Sequence, residues 1–267
     1  MESEKSGFSL KYVDKLANVD LDCQMMSELT TRQTQLLKAV IEEFIKTAKP
    51  VGSENLVGKY NLQVSPATVR NEMVRLIESG HLKQPHTSAG RAPTTLGLRT
   101  YLNKLMEEVS VPVLQEVAIK QRLWQERFEF EKFLRKATTA LAEVTGYLSV
   151  VATRDGNIFS SGAANILEHP EFYDIDVTRS VLNLTDQPEL LFEIFSRASG
   201  EGQVHVLIGE ELGNSRFGEV SMIFSPFETN KRSGFLSVVG PCRMEYAKVI
   251  PIVKYFKSLI SEMSQGW

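Results

Sequence analysis

Arg70 and Asn71 are neighbours whose side chains each make paired, planar hydrogen bonds, one through a guanidinium fork and the other through a carboxamide. They lie in SPATVRNEMVRLIESG (65–80), followed by HLKQPHTSAGRAPT (81–94). Arginine can bond guanine O6 and N7 together, and asparagine can pair with adenine N6 and N7. Ala67 is small enough to let a backbone approach, and its methyl can meet a thymine methyl. Ser65 and Thr68 stand where free helix N–H groups would meet a phosphate. Arg75 shares the outward side with Val74. From the loop, Lys83, His86, Thr87, Ser88 and Arg91 can reach phosphates or a minor groove. Exposed arginines and asparagines are often simply solvated, so the elements that carry them must decide.

Those elements read clearly. Thr30 caps a helix in which Leu36, Leu37, Val40, Ile41, Phe44 and Ile45 recur at helical spacing. Pro50 and Gly52 stop it. Ser53 opens a short second helix with Leu56, Val57 and Tyr60, and a turn over 61–64 leads to Ser65. Serine followed by proline is a strong helix start. Val69, Met73, Leu76 and Ile77 form one apolar stripe, which turns Ala67, Arg70, Asn71, Val74 and Arg75 outward. Gly80 closes the helix. His81 and Leu82 begin a short strand, the loop follows, and a further helix starts near Thr94 or Thr95. Three short helices, a hairpin-length loop and a helix are the order of a winged helix-turn-helix.

Beyond it, a long helical segment is predicted from about residue 113 to 144, with a densely charged polar face. YLSVVA (147–152), QVHVLIG (203–209), VSMIF (220–224) and GFLSVVG (234–240) read as strands. Helices fall near 171–182, 187–198 and 243–263, where Pro251 predicts a kink or a boundary. A hairpin is expected at Thr229–Ser233. The fold class is therefore α+β: a winged helix-turn-helix domain over 29–108, then a long connecting helix and an α+β domain with a mainly antiparallel sheet over 109–267. Residues 1–28 lack periodicity and read as a mobile extension or a loosely docked helix.

The net charge of −3 conceals an asymmetry. Residues 30–105 carry 11 Lys/Arg against 5 Asp/Glu, while the remainder carries 19 against 28. A basic part on an acidic body suggests different partners for each, and a polyanion for the basic one. No apolar run reaches the roughly 18 residues of a membrane span. MESEKSGFSLKYVDKL has no signal-peptide core, so a cytoplasmic protein is expected.

Catalytic and ligand motifs are weak. GSENLVGKY is one residue too long for a phosphate loop and has Tyr60 where Ser or Thr is needed. His81, His86, His169 and His205 have no metal-site spacing, and Cys23 and Cys242 no CxxC pairing. There is no G-x-S-x-G. GEELGN reads as a turn, HPEF as a helix start with Pro170 in its first turn, and Cys242 as a passive thiol. No catalytic residue, metal or cofactor is expected.

The motifs PVGS, VSPATVRNEM, LKQPHTSAGRAPT and GLRTYL resemble, in order and spacing, the N-terminal domain of the heat-inducible transcription repressor family HrcA. GAANILEHPEF (162–172) and SVVGPCRMEYAKVIPIVKYF (237–256) resemble its C-terminal motifs. The resemblance covers most of residues 29–263. It implies a dimeric repressor that binds an inverted-repeat operator in double-stranded DNA upstream of chaperone genes, with a GAF-like body and an active form favoured by a GroEL-type chaperonin. It carries DNA contact onto Ser65, Thr68, Arg70 and Asn71, and onto residues 86–91. Two features depart from the family. The extension at 1–28 is longer than usual. The usual inserted region after the body's first strand, which helps dimerisation, is missing, because TGYLSVVATRDG runs almost directly into NIFSSGAANILEHPEF. The long helix with Trp124 and Phe128 is the candidate to replace that interface. An alternative reading is a winged-helix regulator whose GAF-like domain senses a small molecule. A polar pocket in the body would favour it, and a filled apolar core would favour the repressor.

Overall fold

The structure is a computed structural model that describes residues 29–60, 64–198, 203–229 and 232–263. The expected extension, Cys23 and most of the turn before Ser65 lie outside these residues. The chain divides into two units, the second beginning in the main at Leu102.

In the first unit, α1 spans Thr31–Thr47, α2 Ser53–Tyr60 and α3 Pro66–Glu78. Thr30 and Gln33 cap α1 reciprocally: the Gln33 N–H donates to the Thr30 hydroxyl at 3.3 Å, and the Thr30 N–H donates to Gln33 Oε1 at 2.9 Å. The helix ends sooner than Pro50 requires, because Ala48 adopts a left-handed conformation with φ 55°. Strands β1 (Leu82–Lys83) and β2 (Ala92–Pro93) pair antiparallel, and α4 (Thr95–Thr100) follows, capped by Thr94. The next five residues continue it as a π-helical turn. Helix, helix, helix, two-stranded wing, helix is the order expected of a winged helix.

The second unit is built on one five-stranded sheet in the order β4-β3-β7-β6-β5, every pair antiparallel. Its strands are β3 (Leu148–Thr153), β4 (Ile158–Ser161), β5 (His205–Ile208), β6 (Val220–Glu228) and β7 (Ser233–Pro241). Between β3 and β4 stands a turn with Gly156 at φ 94°. On one face lie α5 (Val113–Trp124), α6 (Phe130–Thr145) and, after β7, α9 (Tyr246–Met263), packed against Val151, Ile223, Leu236 and Val238. On the other face lie α7 (Ile175–Leu182), α8 (Pro188–Ser196) and short 3-10 turns, packed against Leu148, Val150, Met222, Phe224 and Val239. Alternate residues of each strand thus enter opposite cores. Because both faces are covered, all six residues of β3 are buried, which is why YLSVVA reads as a continuous run.

Three details differ from the sequence reading. The long helix is two: the chain turns at residues 125–129, where Arg127 donates from Nη1 to the Trp124 carbonyl at 2.7 Å. Strand β4 went unread, being a four-residue edge strand held to β3 alone. And α9 runs without a break through Pro251.

The two C-terminal motifs meet across the fold. Arg243 clamps Glu171 through Nε–Oε1 at 2.5 Å and Nη2–Oε2 at 3.0 Å, with side-chain exposures of only 12% and 14%. His169 Nδ1 lies 3.4 Å from Arg243 Nη2, and the Tyr147 ring stacks on the imidazole at 5.2 Å. Burial holds the His169 pKa below its usual value, and the Arg243 charge acts in the same sense. The unfolded chain therefore takes up this proton near pH 6.5, before the folded one does. The contribution is complete above that pH and is lost as the pH falls below it. In His169→Gln, that part of the decline is expected to vanish from urea midpoints measured between about pH 7.5 and 5.5. An unchanged slope would remove His169 as its source.

Candidate nucleic-acid interface

Helix α3 begins as its sequence demands. The Ser65 hydroxyl accepts from the Thr68 N–H at 3.2 Å, Ser65 is extended, and Pro66 takes the first turn. Such a cap contributes about 1 kcal/mol. Val69, Met73 and Leu76 are almost wholly buried, and Ile77 half-buried. Each such side chain contributes about 1.5–3 kcal/mol, so the stripe outweighs the cap in fixing the helix's rotation. Gly80, at φ 78°, closes it.

That rotation leaves Ser65, Ala67, Arg70, Asn71, Val74 and Arg75 exposed, with Thr68 half-buried. The outward residues differ in freedom. Arg75 donates to Glu72 one turn earlier at 3.0 Å, and Glu72 is itself buried. The Ser65 and Thr68 hydroxyls lie 3.0 Å from each other, so part of their capacity is spent locally. Arg70 and Asn71 take part in no such local bridge among the bonds seen here, and their neighbour Ala67 adds no bulk.

The wing is ordered by its own backbone and by Gln84, whose Nε2 donates to the Thr87 carbonyl at 2.8 Å and the Ala89 carbonyl at 3.2 Å. The Ala89 N–H donates to His86 O at 2.8 Å. Lys83, His86, Thr87 and Ser88 are all exposed on it. Arg91 is not: it is half-buried at the wing's base, with Nη1 turned back to the Ala89 carbonyl at 3.1 Å. Its backbone exchanges two 2.8 Å hydrogen bonds with Val51, joining the wing to the PVGS segment. Gly90 is required there, because a Cβ would stand 2.5 Å from Val51 backbone atoms. The closeness of PVGS and SAGR is therefore steric, and a serine or alanine at position 90 could not keep it.

The face thus joins a rigid helix bearing one fork and one carboxamide to a wing bearing Lys83, His86, Thr87 and Ser88. Sequence reading missed Glu72, which tethers Arg75, and Gln84, which shapes the wing. The signal for Gln84 was its place inside LKQPHTSAGRAPT; Glu72 gave none, since a carboxylate three residues from an arginine is ordinary on a solvated helix. A cleft of about 760 Å3 also lies in this unit, between α1 and α3, lined by Arg32, Gln35, Lys38, Glu42, Tyr60 and Glu72 among others. Among the described residues, no helix is long and apolar enough to cross a membrane, and no group of His, Cys, Asp and Glu could hold a metal ion. The Cys242 thiol donates to the Val220 carbonyl at 3.2 Å.

The model of the family described as HrcA protein C terminal domain matches residues 67–250. The heat-inducible transcription repressor HrcA of Pelotomaculum thermopropionicum is 25% identical, over 88% of this chain and 97% of that protein. Its namesake from Carboxydothermus hydrogenoformans is 27% identical, over 87% of this chain and 97% of that one. The first alignment runs over 337 residues, more than the 267 here, so that relative carries stretches without a counterpart in this chain. A crystal structure of a protein described only as hypothetical shares the fold, with a TM-score of 0.74 at 20% identity, covering 88% of this chain and 98% of that one.

Proposed function

The chain belongs to the HrcA family, and on that premise we propose that it is a cytoplasmic transcription repressor of heat-shock genes that binds an inverted-repeat operator as a dimer. The observation that carries this reading is the outward pair Arg70 and Asn71 near the capped start of α3. A helix so placed enters a major groove with its N-terminal residues nearest the base edges. Ala67 lets the backbone approach. Arg75, tethered to Glu72, serves backbone contact better than base reading. Lys83, His86, Thr87 and Ser88 on the wing meet phosphates beside the groove, with Arg91 bracing the wing from its base. Two such readers, one helical turn of DNA apart or a multiple of it, would occupy the repeat and exclude polymerase. A GroEL-type chaperonin would favour the active form, an inference that rests on family membership alone.

The body supports this reading over a small-molecule sensor. Apolar side chains fill both faces of its sheet, and the 760 Å3 cleft lies in the other unit. The reading is tested by footprinting on the chain's own genome, with and without chaperonin. Protection of inverted repeats upstream of chaperone genes is the expected result; protection elsewhere, or none, overturns it.

Lys83→Ala is expected to weaken binding to operator and random DNA alike. It should flatten the plot of log affinity against log salt by about one unit for each half-site. An unchanged slope would remove Lys83 from the phosphate contacts.

A further inference from the structure

We propose that the outer face of α5, with the turn after it, is where two copies of this chain meet, antiparallel about a twofold axis through Gln121. The proposal rests on the dimeric repressor reading and names the surface that reading needs. Ile119 and Leu123 point inward to the core. The opposite side exposes Leu114, Val117, Ala118, Gln121, Trp124 and Gln125, spaced by threes and fours down one stripe, and the turn after it exposes Phe128.

Three observations favour a second copy as the occupant. The first is area. Leu114, Val117, Trp124 and Phe128 are 86%, 47%, 48% and 68% exposed. Together they offer about 500 Å2 per chain, so a symmetric pair that covers them buries about 1,000 Å2, the least that a specific interface needs. The second is charge. None of the stripe residues is charged, and the two cations of α5 that flank them, Lys120 and Arg122, are paired within the chain. Lys120 reaches Glu262 at 2.6 Å, and Arg122 clamps Glu143. Arg127, in the turn, lies against the Trp124 and Phe128 rings, its guanidinium carbon 4.4 and 4.1 Å from their centroids. Charge is depleted in just this way at the centre of protein interfaces.

The third is fit. Reversing one helix about Gln121 sets Val117 against Gln125 of the second copy. Ala118, the smallest side chain of the stripe, then receives Trp124, the largest. The one central polar group, the Gln121 carboxamide, meets its own symmetry mate and can donate and accept at once. A parallel pairing would instead stack Trp124 on Trp124 and leave Ala118 facing a gap.

Cysteine cross-linking of the full chain tests the axis, in a background of Cys23→Ser and Cys242→Ser. Gln121→Cys is expected to yield a disulfide-linked dimer on mild oxidation. Leu114→Cys alone should not link, since its mate stands about 20 Å away along the helix pair, while Val117→Cys with Gln125→Cys in one chain should. Sedimentation supplies a second readout: Trp124→Glu should raise the dimer dissociation constant at least 100-fold with an unchanged circular dichroism spectrum. A monomeric parent, a dimer indifferent to Trp124→Glu, or self-linking by Leu114→Cys but not by Gln121→Cys overturns the proposal. Operator binding by the same proteins separates the two readings. A dimer that links through Gln121 but ignores inverted repeats leaves the seam standing and removes the repressor. A dimer that binds operator without linking does the reverse.

Discussion

Arg70→Ala and Asn71→Ala are each expected to weaken operator binding by about 1–3 kcal/mol per half-site, hence about 2–6 kcal/mol for a symmetric dimer. The size follows from what the side chains can do. Each makes two parallel hydrogen bonds to one base, and truncation leaves the base edge unsatisfied in a dry groove. Neither is diverted by an intrachain ion pair of the kind that holds Arg75 to Glu72. The loss should therefore be confined to one position of each half-site. Arg75→Ala should lower affinity for operator and random duplex by similar, smaller factors, because its guanidinium already leans on a buried carboxylate. Titrations of operator duplexes with every base at each position would read this directly. If both alanine variants kept full affinity and an unaltered base preference, α3 would not be reading bases.

The exposed face of α3 was legible because every force that fixes it is local. Ser65, Pro66 and Gly80 mark the ends of α3, and the stripe from Val69 to Ile77 sets its rotation, so exposure at residues 67, 70, 71, 74 and 75 follows within a single helix. What could not be read depends on partners distant in sequence. Glu43 reads as part of a solvated face; in fact it is buried and takes the Lys59 ammonium at 2.5 Å from the next helix. Arg91 reads as a free wing cation, yet its backbone is drawn to Val51, forty residues earlier, and its side chain folds back. The stop at Ala48 was illegible for another reason: a left-handed alanine runs against its own preference and is held there by its surroundings.

In the body the long strands and β5 were legible, and β4 and the break in the long helix were not. β3, β6 and β7 carry mostly apolar runs because the sheet is covered on both faces, a signal independent of partners. β4 is short, half polar and paired on one side only, so nothing in IFSS distinguishes it from a loop. The division of the predicted long helix was hidden in the same way. QERFE has good helix formers throughout, and only the packing of α6 back onto the sheet beside α5 requires a turn there. That turn leaves Phe128 exposed after the stripe.

The most damaging single change in the body is expected at Arg243. Its guanidinium and the Glu171 carboxylate are both mostly shielded, they meet through two parallel hydrogen bonds, and they join the segments after β4 and after β7. Removing one partner of such a pair strands the other charge away from water, which costs about 3–5 kcal/mol when burial is complete. With 12% and 14% of the two side chains still exposed, about 2–4 kcal/mol is the better expectation for Arg243→Ala. That corresponds to a fall of roughly 5–15 °C in the body's melting temperature. Lys254→Ala supplies the contrast. Its ion pair with Glu108 is equally short, at 2.5 Å, but both side chains are about 40% exposed, so its loss should fall within about 0.5 kcal/mol. The charge argument has its own check. Arg243→Met with Glu171→Leu removes both charges while keeping apolar bulk, and should recover much of the loss, giving a coupling of at least 1 kcal/mol in a double-mutant cycle. Urea unfolding followed by circular dichroism measures the parent, Arg243→Ala, Lys254→Ala, the double variant and its two single changes. Additive single changes, or an Arg243→Ala loss no larger than that of Lys254→Ala, would mean that the two motifs are held together by the stacked Tyr147 and His169 rings and the apolar layer beneath them rather than by this ion pair.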